Sequence, residues 1–197
     1  MFSFFLRTWY GMFAGFFLIL FIVFFVLVIV MFLLAITGGP GPCTPGGGPI
    51  SVSAANSQSF KTKWDALDAA LDGGSAASTD FNESEVTSRA QEFDEAEDTP
   101  FDDIRVCIHD GFGEGTAKFG FLGLSTKVKV KGTMELAGPH PVAQIDDIKV
   151  GNVPGFLTSV VEGLVEDAID EALDKVDLKH PYVPTLSEGQ ARIDGQP

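Results

Sequence analysis

The sequence predicts an α+β protein held behind a single membrane-spanning helix. Three observations carry that reading. Met12 to Ile36 is an unbroken apolar run, the stretch from Ile104 to Val150 alternates apolar and polar residues between turn signals, and Phe156 to Val176 follows a two-faced helical pattern. Consecutive strands with short turns imply an antiparallel meander, and its apolar face needs a helix to cover it. The expected architecture is therefore a curved antiparallel sheet of about four to five strands packed on a long amphipathic helix.

Met12 to Ile36 holds no charged or strongly polar side chain. At ~1.5 Å rise per residue its 25 residues exceed a ~30 Å hydrocarbon core. A cleaved signal peptide has an apolar region of only ~7–15 residues, so length favours a retained anchor. The small-residue exit Ala35-Ile36-Thr37-Gly38-Gly39 is nevertheless compatible with cleavage. Cys43 follows Pro40-Gly41-Pro42, which departs from the aliphatic-then-small pattern before a lipidated cysteine. Arg7 is the only charged residue before Lys61. The positive-inside bias then places Met1 to Tyr10 in the cytoplasm and the acidic domain outside, with Trp9 and Tyr10 where an interfacial aromatic belt would put them. Residues 1–36 thus read as cytoplasmic tip and anchor in the cell membrane.

Thr37 to Ile50 contains six Gly and four Pro in 14 residues, a composition that reads as a spacer. Residues 51–197 form the expected extracytoplasmic domain, of a size suited to one core. Cys43 in the spacer and Cys107 on a predicted strand read as two unpaired thiols, because a bridge would require the spacer to fold back.

Phe60, Trp64, Leu67 and Leu71 draw one apolar stripe on a helix that stops at Asp72-Gly73-Gly74. A polar loop is expected up to Asp80. Asn82 and Glu85 then make a capping box, Phe81 and Val86 a hydrophobic staple, and Val86, Ala90 and Phe93 the inward face of a second helix ending near Glu97. Ile104, Val106 and Ile108 alternate with Arg105, Cys107 and His109 on a first strand. Asp110 to Gly115 reads as a Gly-rich hairpin turn, and a second strand runs from about Thr116 to Phe121. A third carries Val128 and Val130 against Lys127, Lys129 and Lys131 and extends to Leu136. Gly138-Pro139-His140-Pro141 breaks it, and Val142 to Val150 makes a fourth. Pro154 opens the long helix, whose other face carries Glu162, Glu166, Asp167, Asp170, Glu171 and Asp174. A last strand is expected between Tyr182 and Ile193.

Charge and chemistry narrow the function. Lys61 onward carries 12 basic and 27 acidic residues, net −15, which argues against a nucleic-acid partner and against flat adhesion to an anionic leaflet. His109, His140 and His180 are isolated, no serine sits in a nucleophile elbow, and Gly111 to Gly115 joins two strands where a phosphate loop would precede a helix. Seven acidic residues between Glu92 and Asp103 do not follow a calcium-loop spacing and read as a solvated face. The Lys127, Lys129, Lys131 ladder reads as the solvent side of a strand. No catalytic residue, metal ligand or cofactor is assigned.

Pro49-Ile50-Ser51-Val52-Ser53, the Phe60/Trp64 helix, the Phe81 to Val86 helix start and above all Ile148 to Leu157 resemble the LmeA-like class. These are small bacterial membrane-anchored extracytoplasmic proteins related to half of a TULIP lipid-binding module. In that class a strand runs into a V-G-x-x-P turn and then a long amphipathic helix, as Val150-Gly151-Asn152-Val153-Pro154 does here. A Gly is usual at Asn152 and a Pro near Phe156. The resemblance implies a half-TULIP-like fold with a groove between sheet and helix for a lipid or other apolar ligand. Its lining would be Phe119, Phe121, Leu124, Phe156, Leu157, Val160 and Leu164, and its work non-catalytic. Burial of acyl chains at ~0.8 kcal/mol per methylene would supply the affinity. The rival expectation is an assembly subunit of an envelope complex, whose acidic face and anchor contact membrane proteins.

Overall fold

The computed structural model describes residues 21–27, 39–121, 124–151, 153 and 155–197. Residues 21–27 are helical (α1), with every side chain at least half exposed. The rest of the expected Met12–Ile36 span lies outside the described residues, among which no helix is long and apolar enough to cross a membrane.

From Ala54 the chain runs α2 (Ala54–Asp72), β1 (Ala77–Asn82), α3 (Glu83–Glu97), β2 (Phe101–His109), β3 (Phe112–Phe121), β4 (Leu124–Glu135), β5 (Val142–Val150), α4 (Gly155–Asp174), β6 (Tyr182–Ser187) and β7 (Gln190–Gly195). The fold is α+β, and all strand pairing is antiparallel. Strands β2-β3-β4-β5 form the expected meander. A second sheet, β1-β7-β6, was not expected: β1 replaces the polar loop before Asp80, and the single last strand is a hairpin turning at Glu188-Gly189. These six-residue strands carry Asp80, Pro184, Arg192 and Asp194, so apolar periodicity is too diluted to mark them.

Two cores result. In the first, Leu67 and Leu71 of α2 pack with Phe81, Tyr182 and Ile193 of the small sheet and Leu136 at the end of β4. Aromatic rings knit it, with Phe60 on Phe81 at 4.3 Å and Trp64 against Tyr182 at 5.0 Å. In the second, Val161 and Val165 of α4 meet Phe119 and Val128 of the meander, flanked by Val130, Ile148 and Ala168. A bridge between Leu136 and Tyr182, where Tyr182 N–H donates to Leu136 O at 2.9 Å, joins the sheets.

Helix α3 begins at the expected capping box: Asn82 Oδ1 accepts from Glu85 N–H and Glu85 Oε2 from Asn82 N–H. Of the expected Val86, Ala90, Phe93 stripe, all half-buried, Val86 packs against the first core, but none of the three is among the fully buried positions of the helix. Glu83, Glu85, Thr87 and Ser88 are buried instead. The reason is the free edge of β2. Ile108 N–H donates to Glu83 Oε1 at 2.8 Å, Val106 N–H to Thr87 Oγ1 at 3.0 Å, and Gln91 Nε2 donates to Ile104 O at 2.7 Å. Three side chains four residues apart satisfy the groups that an edge strand otherwise exposes.

Candidate functional site

The meander has two different faces, because residues opposite each other in an antiparallel register share a face. Phe119, Val128, Val130, Ile148 and Val150 point toward α4. Lys118, Lys127, Lys129, Lys131 and Lys149 share the other face with Cys107, Glu114 and Thr116.

That lysine face carries the Gly/Pro segment, which does not behave as the expected free spacer. Cys43 and Cys107, expected as thiols, form a disulfide with both residues buried. Gly46 and Gly47 N–H donate to the two oxygens of Glu83 at 2.9 and 3.0 Å. Gly47 passes so close to Gly189 (φ +75°) that a Cβ on Gly189 would lie 2.3 Å from Gly47 Cα. At its other end, a Cβ on Gly39 would stand 2.9 Å from Lys127 Cβ and 3.3 Å from Gly151 Cα. The strap thus enters beside Lys127 and Gly151, where β5 turns toward α4, and ends at the node of Glu83, Ile108 and Gly189. Composition hid this contact, since Gly and Pro that permit a close approach look the same as Gly and Pro of a flexible tether.

The seven expected lining residues fall into three groups. Phe119 is buried beneath α4. Leu157 is half-buried, while Val160 and Leu164 are 55% and 41% exposed on the flank of α4 beside the buried Val161 and Val165. Phe121 and Leu124 are register partners where β3 meets β4, and Phe156 lies in the first turn of α4. Phe119 is thus part of the core, while the Val160/Leu164 pair is exposed to solvent. A helix has only one side toward a sheet, and the breadth of the apolar pattern from Phe156 to Val176 concealed which side that was. Directly opposite Phe119 stands Thr126, whose buried Oγ1 has no hydrogen-bond partner among the described residues. It is a polar point in an otherwise apolar packed seam.

The histidines stand apart from this seam and from one another. His109 Nδ1 is 3.3 Å from Glu188 Oε2, His140 Nδ1 3.0 Å from Val176 O, and His180 Nε2 3.0 Å from Asp72 Oδ1. No group of three His, Cys, Asp or Glu among the described residues is placed to hold a metal ion. Tyr182 donates to the buried carboxylate of Asp68. Burial first, then that carboxylate, hold the phenol well above its ordinary pKa, so it stays a hydrogen-bond donor within the first core.

Fold and site together define an α+β domain of two antiparallel sheets, strapped by its own N-terminal Gly/Pro segment. Comparison with protein-family models, with curated proteins and with solved structures gives no match. The likeness to the LmeA-like class accordingly rests on the sequence segments quoted above.

Proposed function

We propose that this protein is a single-pass, membrane-tethered extracytoplasmic module that binds a lipid or similar apolar ligand without catalysing a reaction. The observation that carries this reading is the seating of Gly39 against Lys127 and Gly151. Gly39 follows the apolar run by three residues, which reach at most ~10 Å when extended. A membrane span ending at Ile36 therefore holds the start of α4 and the β3–β4 end of the meander beside the bilayer. The seam between α4 and the sheet, with Phe119 and the Thr126 hydroxyl that has no hydrogen-bond partner among the described residues, would then open toward the source of acyl chains. The Cys43–Cys107 disulfide supports the outward orientation, since such bonds persist in oxidising compartments.

Photo-crosslinking of the full chain in membranes with a diazirine fatty acid tests the reading. Adducts are expected on peptides covering residues 119–130 or 156–165. Adducts confined to residues 12–36 would show contact with bulk lipid alone and remove the ligand site. The second reading, an assembly subunit, is favoured by Val160 and Leu164, which lie one helical turn apart and exposed on α4. For that reading, crosslinking from Val160→Cys should trap a reproducible membrane-protein partner.

A further inference from the structure

The two edges of the meander are finished differently. The outer edge of β2 is taken up by Glu83, Thr87 and Gln91 of α3. β5 ends the sheet on the other side, and no strand among the described residues pairs with its outer edge. Gly151 N–H donates to Lys127 O at 2.7 Å, so at alternate positions Lys149 and Asp147 also turn their backbone groups toward β4. Ile148 and Val150 therefore turn theirs to the open edge. An uncovered edge of this kind is a template for another strand.

The side chains along this edge fit a second copy of themselves. Asp147 and Lys149 lie 3.3 Å apart on the lysine face, with side chains 50% and 63% exposed. On β4 they stand opposite Lys131 and Lys129, of which Lys129 is paired with Glu114 and Lys131 lies over the Phe112 ring. In an antiparallel pair centred on Ile148, each Asp147 stands opposite Lys149 of the second copy, and the four charges alternate in sign. Moving the centre by one residue would set Asp147 against Asp147 or Lys149 against Lys149, an unfavourable arrangement. The bulge at Asp146 ends the regular stretch, so the contact is short and closes as a two-fold pair.

α4 supplies the apolar part of the surface. It runs along β5, and its flank with Glu162 and Ile169 is half-buried over the sheet, whereas Val160 and Leu164 are exposed. The exposed flank therefore overhangs the open edge. Ile148 lies three residues before Gly151, about 10 Å along the strand. The midpoint of Val160 and Leu164 lies seven residues into α4, also about 10 Å from the same end. A two-fold axis through Ile148 thus sets each Val160 beside Leu164 of the second copy. Asp167 and Glu171, farther along that flank, then approach the N-terminal end of the other α4, an end that favours negative charge. The axis is normal to the sheet, so both Gly/Pro straps fall on one face and both α4 helices on the other.

We propose that β5 pairs antiparallel about Ile148 with β5 of a second copy of this chain, and that Val160 and Leu164 of the two α4 helices close over the join. The pairing is independent of the ligand reading, and it gives the exposed flank of α4 one occupant.

The test uses the full chain in mild detergent with Val160→Cys, or with Ser159→Cys, which is exposed about 100° around the helix from it, and a short bismaleimide. Chain-to-chain dimers should form roughly fivefold more from position 160 than from 159. On the Val160→Cys background, Asp147→Lys and Lys149→Asp should each lower the yield roughly fivefold. Mixing those two variants should restore it as a heterodimer, because each supplies the charges the other lacks, and this restoration also shows that both fold. Equal yields at the two positions, a yield indifferent to either reversal, or a mixture that does not recover would overturn the pairing.

Discussion

Glu83 Oε1 accepts the N–H of Ile108 at 2.8 Å while the same carboxylate holds Gly46 and Gly47, so one buried side chain ties α3, the edge of β2 and the N-terminal strap. The polar side of an apparently surface helix is thereby the inward one. A carboxylate is suited to the place because it accepts several N–H donors at once and donates none.

Glu83→Ala should cost about 3 kcal/mol of unfolding free energy, because it leaves three backbone N–H groups without their acceptor. Glu83→Gln, which keeps one carbonyl oxygen, should cost less. Urea unfolding of both variants checks the order. Equal and negligible losses would mean that water replaces the carboxylate freely.

Reduction of Cys43–Cys107 should destabilise the domain by about 2–4 kcal/mol, since the bond closes a loop with a sequence separation of 64. Thermal unfolding with and without a dithiol reductant, alongside the Cys43→Ser/Cys107→Ser double variant, provides the measurement. Hydrogen exchange of residues 39–47 should rise before that of the meander, because the strap loses its covalent fixture first.

Burial pushes the Glu85 carboxyl up, but hydrogen bonds from Lys63, Ser59 and the Asn82 N–H outweigh it, and the net pKa lies below the ordinary 4.5. The unfolded chain therefore takes up this proton more readily than the folded one. The stabilisation is complete above about pH 4.5 and fades as pH falls through the lowered folded value. Glu85→Gln should be less stable than the parent at neutral pH, with the gap narrowing on acidification. Asp94 works in the opposite sense: burial raises its pKa, so Asp94→Asn should stabilise at neutral pH and lose that advantage in acid. Unfolding free energies between pH 3 and 7 (roughly the carboxylate window) decide both.

On α4, Val165→Ala should cost about 2 kcal/mol, because Val165 is fully buried against the meander. Val160→Ala should change stability by less than about 0.5 kcal/mol, given its exposure. Matching losses at the two positions would mean that α4 presents its other side to the sheet. If a partner covers Val160, the substitution would instead weaken membrane-complex assembly.

Sequence alone settled what is local. Asn82 and Glu85 announce the α3 start because a capping box closes within four residues, and the meander and α4 follow from periods of two and about 3.6 that each segment carries by itself. The turn at Asp110-Gly111 is likewise legible, although β3 begins at once after it, at Phe112. The candidate site was legible only as a list of apolar residue types, since periodicity marks an apolar stripe without saying which part of it meets the sheet.

Tertiary structure decided whatever depends on partners far apart in the chain. It paired Cys43 with Cys107, sent α3's polar ladder to the edge of β2, and assembled β1 with β6 and β7 into a sheet whose strands come from opposite ends of the domain. It also laid the Gly/Pro strap on the lysine face and buried Val161 rather than Val160. Each outcome turns on long-range complementarity, in which a donor or cavity on one segment is met by another dozens of residues away. Local spacing encodes the shape of an element, while the surface it will meet exists only once the chain has closed on itself.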